Sequence, residues 1–345
     1  MTYRRLEKKL DVTRFVLDID YSAIVKKRDN LFVYKNNTNN LFIINSVEFV
    51  GYINNLLIIK DYEGVGYKIN LDTFYLEKIE NSGIKFNGKN ESNLLPIFRS
   101  QSIFDPVENG IFDIVNNKIN FISENCKSNQ IIDNYFVGIF NEILFSNSLN
   151  TGDYLWSFEF NFPKYYREGY CDYRETQLEK FIGVYEDELW ILFSGNRILV
   201  LDIHTGEERH QFESLNKTLD TSFFINNCFL DKTTGVIKIL AYLYYIEIDT
   251  KTKEAFIKKD FKNFSMVNGS YYGGDTIYFV GNNNKSQSIS NNITGIFNTK
   301  TLEIDWSYEL EVKDKNHFFV DVPQANATHF GIKDSENTLY LFERE

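Results

Sequence analysis

Residues 188–213 alternate short apolar runs with polar turns: the β-rich runs Glu188–Phe193 and Arg197–Asp202 are joined by SGN, and DIHTGEE leads into a third run. The second turn has a chemical logic. Asp or Asn accepts backbone N–H bonds, Thr adds a hydroxyl bond, and Gly takes a left-handed conformation at little cost. The same turn recurs in YKINLDTFYLEKI, FSNSLNTGDYLWSF, IEIDTKTKEAFIKK and GIFNTKTLEIDWSY. Aligning the five copies on Thr73, Thr151, Thr205, Thr252 and Thr301 gives separations of 78, 54, 47 and 49 residues. The last three match the period of four-stranded propeller blades.

Each copy follows two apolar strands flanking a polar turn, as in FIGVYEDELWILFSG and MVNGSYYGGDTIYFVG. The long first gap hides a degenerate unit, whose strand pair is IFDIVNNKINFISEN at residues 111–125. The chain ends in HFGIKDSENTLYLFERE, a strand pair lacking its fourth strand, and the N-terminal TYRRLEKKL supplies it by pairing first segment with last. The expected architecture is all-β: one closed β-propeller domain over residues 1–345, with four-stranded blades. Division by about 49 residues per blade gives seven blades, with eight the next number. Residues 3–45 leave the strand count open. No convincing helical periodicity appears, and four prolines without a long Gly/Ser stretch offer no linker between two domains. The apolar run around residues 239–248 is too short for a membrane helix and reads as buried strand.

ILVLDIHTGEE and NSLNTGDYLW resemble the repeat of the pyrroloquinoline-quinone-type (PQQ-like) β-propellers. The resemblance spans residues 47–308 in patches: five residues beyond each threonine stand Lys78, Trp156, His210, Ile257 and Trp306, and Gly follows Thr only at Gly152 and Gly206. It implies a fold in which Trp packs between blades and Asp-Thr-Gly makes the turn. It does not imply quinone binding: a vicinal cysteine pair and a recognisable calcium loop are missing from the sequence, and no cofactor is expected.

With 37 Lys and Arg against 48 Asp and Glu, the net charge of −11 argues against broad nonspecific binding to nucleic acid or anionic membrane. The N-terminal charges are not followed by an apolar export segment, so a cytoplasmic location is expected. Cys126, Cys171 and Cys228 form neither a CxxC pair nor a disulfide framework. His204, His210, His317 and His329 lack zinc-site spacing, and the first two fall at turn and packing positions. There is no GxSxG elbow or P-loop. Catalytic and metal residues are therefore not assigned.

One segment rises above this background: NFPKYYREGYCDYRETQLEK, where Tyr165, Tyr166, Tyr170 and Tyr173 interleave with Lys164, Arg167 and Arg174. In a propeller it is a blade-to-blade connection. Tyr and Arg dominate interface hot spots, which makes Tyr165, Tyr166, Arg167, Tyr170, Tyr173 and Arg174 the candidate partner-binding set. Alternatives are an aromatic loop folded over its own blade, a glycan site, and a stacking surface for single-stranded nucleic acid that the acidic whole disfavours. The expected function is a non-enzymatic protein-binding propeller of unassigned oligomeric state, specifically an immunity-type inhibitor of a basic toxin from a bacterial-looking, Asn- and Lys-rich chain. The competing expectation is a glycan-binding, hydrolytic or lyase propeller with its site in the central channel.

Overall fold

The computed structural model of the protein describes residues 3–9, 12–17, 23–27, 30–34, 41–45, 47–53, 56–61, 63, 65–70, 72–73, 75–79, 85–86, 94–99, 108–124, 128–140, 142–167, 172–262, 264–283, 291–311 and 316–344. Tyr170 lies outside them. Strand dominates the described residues, whose one helix is the four-residue Leu215–Thr218.

Seven four-stranded sheets are built from consecutive strands, over residues 12–45, 47–78, 85–124, 128–159, 178–212, 227–260 and 265–309. We number them blades 1 to 7. An eighth sheet joins the three last strands, residues 324–344, to the first strand, Tyr3–Lys9. Tyr3 lies opposite Arg344 and Lys9 opposite Leu339 in antiparallel register, as the end-to-end pairing predicts. The fold is the expected all-β propeller: seven blades of four consecutive strands, with the first strand completing a further four-stranded sheet beside the last strands. In blade 1 the third strand ends at Tyr34, where the recognisable copies end theirs on a side chain that caps the turn. The recognisable copies end that strand on Asn70, Ser148, Asp202, Asp249 and Asn298.

Those five residues do what the turn chemistry requires. Asp202 Oδ1 accepts the backbone N–H groups of His204 and Thr205, both at 2.9 Å, and Asn70, Asp249 and Asn298 repeat the arrangement. Ser148 Oγ makes one long bond, 3.4 Å, to Thr151 N–H. Asp113, in the degenerate third blade, accepts the N–H groups of Val115 and Asn116 in the same way. Gly152 and Gly206 sit at φ +76° and +74°, and in other copies Lys253 and Leu302 hold φ +59° without glycine. The turn hydrogen bonds thus override an intrinsic cost of about 1 kcal/mol per non-glycine residue.

The chain divides into two compact units, residues 1–44, 195–198 and 212–345 in one and residues 45–194 and 199–211 in the other. In the first, Phe279 and Phe297 pack in one cluster and Phe330 and Phe342 in another. In the second, Trp156 joins Phe181, Leu189, Phe193 and Leu201 across the seam between blades 4 and 5. Trp156 fulfils the expected packing role: its Nε1 donates to Ile203 O at 2.7 Å, and its ring lies so close to Gly206 that a Cβ there would stand 2.7 Å from it. No helix among the described residues is long and apolar enough to cross a membrane.

Candidate functional site

The connection between blades 4 and 5 is held at its root by aromatic packing. Phe160 is buried, and the rings of Phe160, Phe162 and Phe193 lie with centroids 4.8 to 5.4 Å apart. Buried Thr176 donates its hydroxyl to Pro163 O at 3.1 Å, tying the outgoing arm to the incoming one. Between these anchors Tyr165–Arg167 and Asp172–Arg174 form a two-stranded antiparallel ribbon that belongs to no blade.

The register opposes Tyr165 to Arg174, Tyr166 to Tyr173 and Arg167 to Asp172. Strand alternation therefore places Tyr166 and Tyr173 on one face of the ribbon. Their ring centroids are 5.2 Å apart at 56°, within the range of favourable tilted pairs, and the residues are 49% and 69% exposed. The segment is not folded down over its blade in a way that hides these rings.

The basic residues behave differently from the isolated charges their spacing suggests. Arg174 directs Nε and a terminal nitrogen to Asp172 Oδ2, both at 2.7 Å, and Lys164 meets Glu175 at 2.6 Å. The exposed aromatic pair thus stands beside two matched charge pairs, Arg174–Asp172 and Lys164–Glu175.

Two further clusters deserve a chemical reading. Tyr135 OH lies 2.6 Å from His204 Nδ1, and His204 Nε2 lies 3.0 Å from Asp187 Oδ1, so the turn histidine links the turns of blades 4 and 5. Burial, then the carboxylates of Asp187, Asp202 and Asp133, push the Tyr135 hydroxyl pKa up, the opposite of nucleophile activation. Beside the sheet that the first strand completes, His317, Asp334 and Glu336 bring donor atoms within 4.8 Å of one another. Asp334 is already filled: Oδ1 accepts the N–H groups of Glu336 and Thr338, while Oδ2 pairs with His317 Nε2 and Tyr340 OH, each at 2.9 Å. This geometry is that of a locked turn.

The comparisons with known proteins agree on architecture. No family model matches the chain, and no curated protein matches it. Among solved structures, the C-terminal WD40 domain of Sif2 is 10% identical with TM-score 0.64, covering 99% of this chain and 98% of that one. The computationally designed Ika8 protein is 11% identical with TM-score 0.58 over 99% of this chain and 98% of its own. BamB from Moraxella catarrhalis is 8% identical with TM-score 0.56 over 100% of this chain and 98% of its own. The chain is a β-propeller. At these identities the likeness concerns the fold alone.

Proposed function

We propose that this propeller is a non-enzymatic, cytoplasmic protein-binding scaffold that docks its partner on the ribbon between blades 4 and 5. One observation carries the reading: Tyr166 and Tyr173 form an exposed ring pair on an anchored, hydrogen-bonded element. Rigid tyrosines bring large contact area with little rotamer entropy to lose, and a pre-formed ribbon lowers the ordering cost of association. Tyr165, Arg167, Tyr170 and Arg174 extend the contact set. The charge pairs Arg174–Asp172 and Lys164–Glu175 remain compensated when a partner removes water from the rim.

The finer reading is an immunity-type inhibitor that covers a basic toxin. The net charge of −11 supports it by steering a cationic partner toward the propeller. The turns are read as a degenerate PQQ-like repeat, retained for its blade geometry. The test is quantitative capture of binding proteins from the native cells by the tagged chain, beside a Tyr166→Ala, Tyr173→Ala double variant. The expected result is a stoichiometric basic protein whose retention falls at least ~100-fold in the variant, as loss of two hot-spot residues implies. Equal retention by both baits overturns the ribbon as docking element. A neutral or acidic partner overturns the toxin-inhibitor reading.

A further inference from the structure

The seam between blades 2 and 3 contains a hollow of about 630 Å³, within the size range of small-ligand sites. Its apolar lining is Leu56, Val115 and the ring of Tyr75, and the last two are 53% and 66% exposed. The polar lining is more informative, because its charges are already spent. The Lys68 ammonium is buried and has three partners: Ile114 O at 2.7 Å, Val115 O at 3.1 Å and Glu77 Oε2 at 3.2 Å. An ammonium has three protons, so nothing is left to attract an anion. The Glu77 charge is matched by the same contact, which removes the attraction for a cation.

What remains is neutral hydrogen-bonding capacity. Asn70 Oδ1 is occupied by the N–H groups of Asp72 and Thr73, leaving the amide NH₂ to donate. Thr73 Oγ1 accepts Tyr75 N–H at 3.4 Å and keeps its hydroxyl proton. Glu77 takes Asn117 Nδ2 on Oε1 and Lys68 on Oε2, so each oxygen retains a lone pair, and the side chain is 40% exposed. Two donors and a carboxylate acceptor thus surround an exposed aromatic ring.

We propose that this hollow binds a neutral saccharide ring. The C–H face of the sugar covers Tyr75, its hydroxyls donate to Glu77, and its oxygens accept from Asn70 and Thr73. The inference is independent of the ribbon and its protein partner.

The test is saturation-transfer NMR on the full chain with D-glucose, D-galactose, D-mannose and N-acetylglucosamine, each presented separately. The expected result is transfer to the ring C–H protons of at least one sugar. Tyr75→Ala weakens that binding at least ~10-fold, Val115→Trp blocks the hollow, and Tyr173→Ala on the ribbon leaves it unchanged. Both seam positions are exposed, so the variants keep the parent melting temperature. Absence of transfer from all four sugars overturns the proposal, as does transfer that survives Tyr75→Ala.

Discussion

The seam between blades 4 and 5 is closed by an indole, and the seam between blades 2 and 3 by an ammonium group. Trp156 Nε1 donates to Ile203 O, the carbonyl one residue after the turn residue Asp202, at 2.7 Å. Lys68 Nζ donates to Ile114 O, the carbonyl one residue after the turn residue Asp113, at the same distance. The register explains the exchange: Trp156 lies opposite Ser146 and Glu77 opposite Lys68, each two residues before its own turn. Where blade 4 pairs a small serine with a large ring, blade 2 pairs a long cation with an acid. The two seams meet the same hydrogen-bonding demand, but only the indole also fills the space, and the hollow lies beside the ammonium.

This contrast predicts unequal costs. Trp156→Ala leaves a cavity against Gly206 and an unmet carbonyl, and is expected to lose about 3–5 kcal/mol in urea unfolding. Lys68→Met retains the aliphatic stem and abandons two carbonyls and Glu77, with an expected loss of about 1–3 kcal/mol. Equal losses at the two sites would show that hydrogen bonding, rather than ring packing, governs seam stability.

A smaller effect separates steric from backbone causes. Gly206 and Gly274 share φ near +70°, but a Cβ at Gly206 would stand 2.7 Å from the Trp156 ring while one at Gly274 meets nothing within 4 Å. Gly274→Ala is expected to cost about 1–2 kcal/mol from the left-handed backbone alone. Gly206→Ala adds overpacking of about 1–3 kcal/mol. A Trp156→Ala background should bring the two glycine substitutions together, which thermal melts of the four variants measure.

Blade 5 also carries an acid-sensitive clasp. The Arg209 hydrogen bond at 2.6 Å and the turn N–H bonds from Thr205 and His204 hold the buried Asp202 carboxyl down to about 2, against opposing desolvation. A depressed folded-state value stabilises fully above the unfolded pKa near 4. The contribution, about 2 kcal/mol, is lost as pH falls from about 4 through about 2. Unfolding free energies across that window should therefore decline less steeply in Arg209→Ala than in the parent.

The candidate site was legible in its residue types and illegible in its charges. Interleaved Tyr and Arg mark the connection, and Tyr166 and Tyr173 become a pair because seven residues of sequence separation close into one hairpin register. Arg174 meets Asp172 because the two stand two residues apart on one extended strand, where alternation brings them to the same face, and only the structure shows that this segment is a strand. The hollow left no sequence signal. Lys68 reads as a solvated strand lysine until Ile114, 46 positions on, is brought to its Nζ.

Local chemistry explains where the sequence alone was sufficient. A turn whose side chain caps N–H groups two and three residues ahead is written within four positions, so the turns at Asn70, Asp202, Asp249 and Asn298 are determined by their own residues. Strand pairs around short turns follow from the same proximity, and so does the third blade through Asp113. The eighth sheet's composition was readable because an unpaired final edge requires a strand from elsewhere. Tertiary structure decided the rest: the blade in residues 12–45, whose Asn-rich segment at 36–40 does not repeat the Asp/Asn-x-x-Thr spacing of the other copies from its strand end, and the contacts made by the indole and the ammonium at their seams. Those outcomes depend on groups about forty to fifty positions apart, whose meeting is set by how one blade packs on the next.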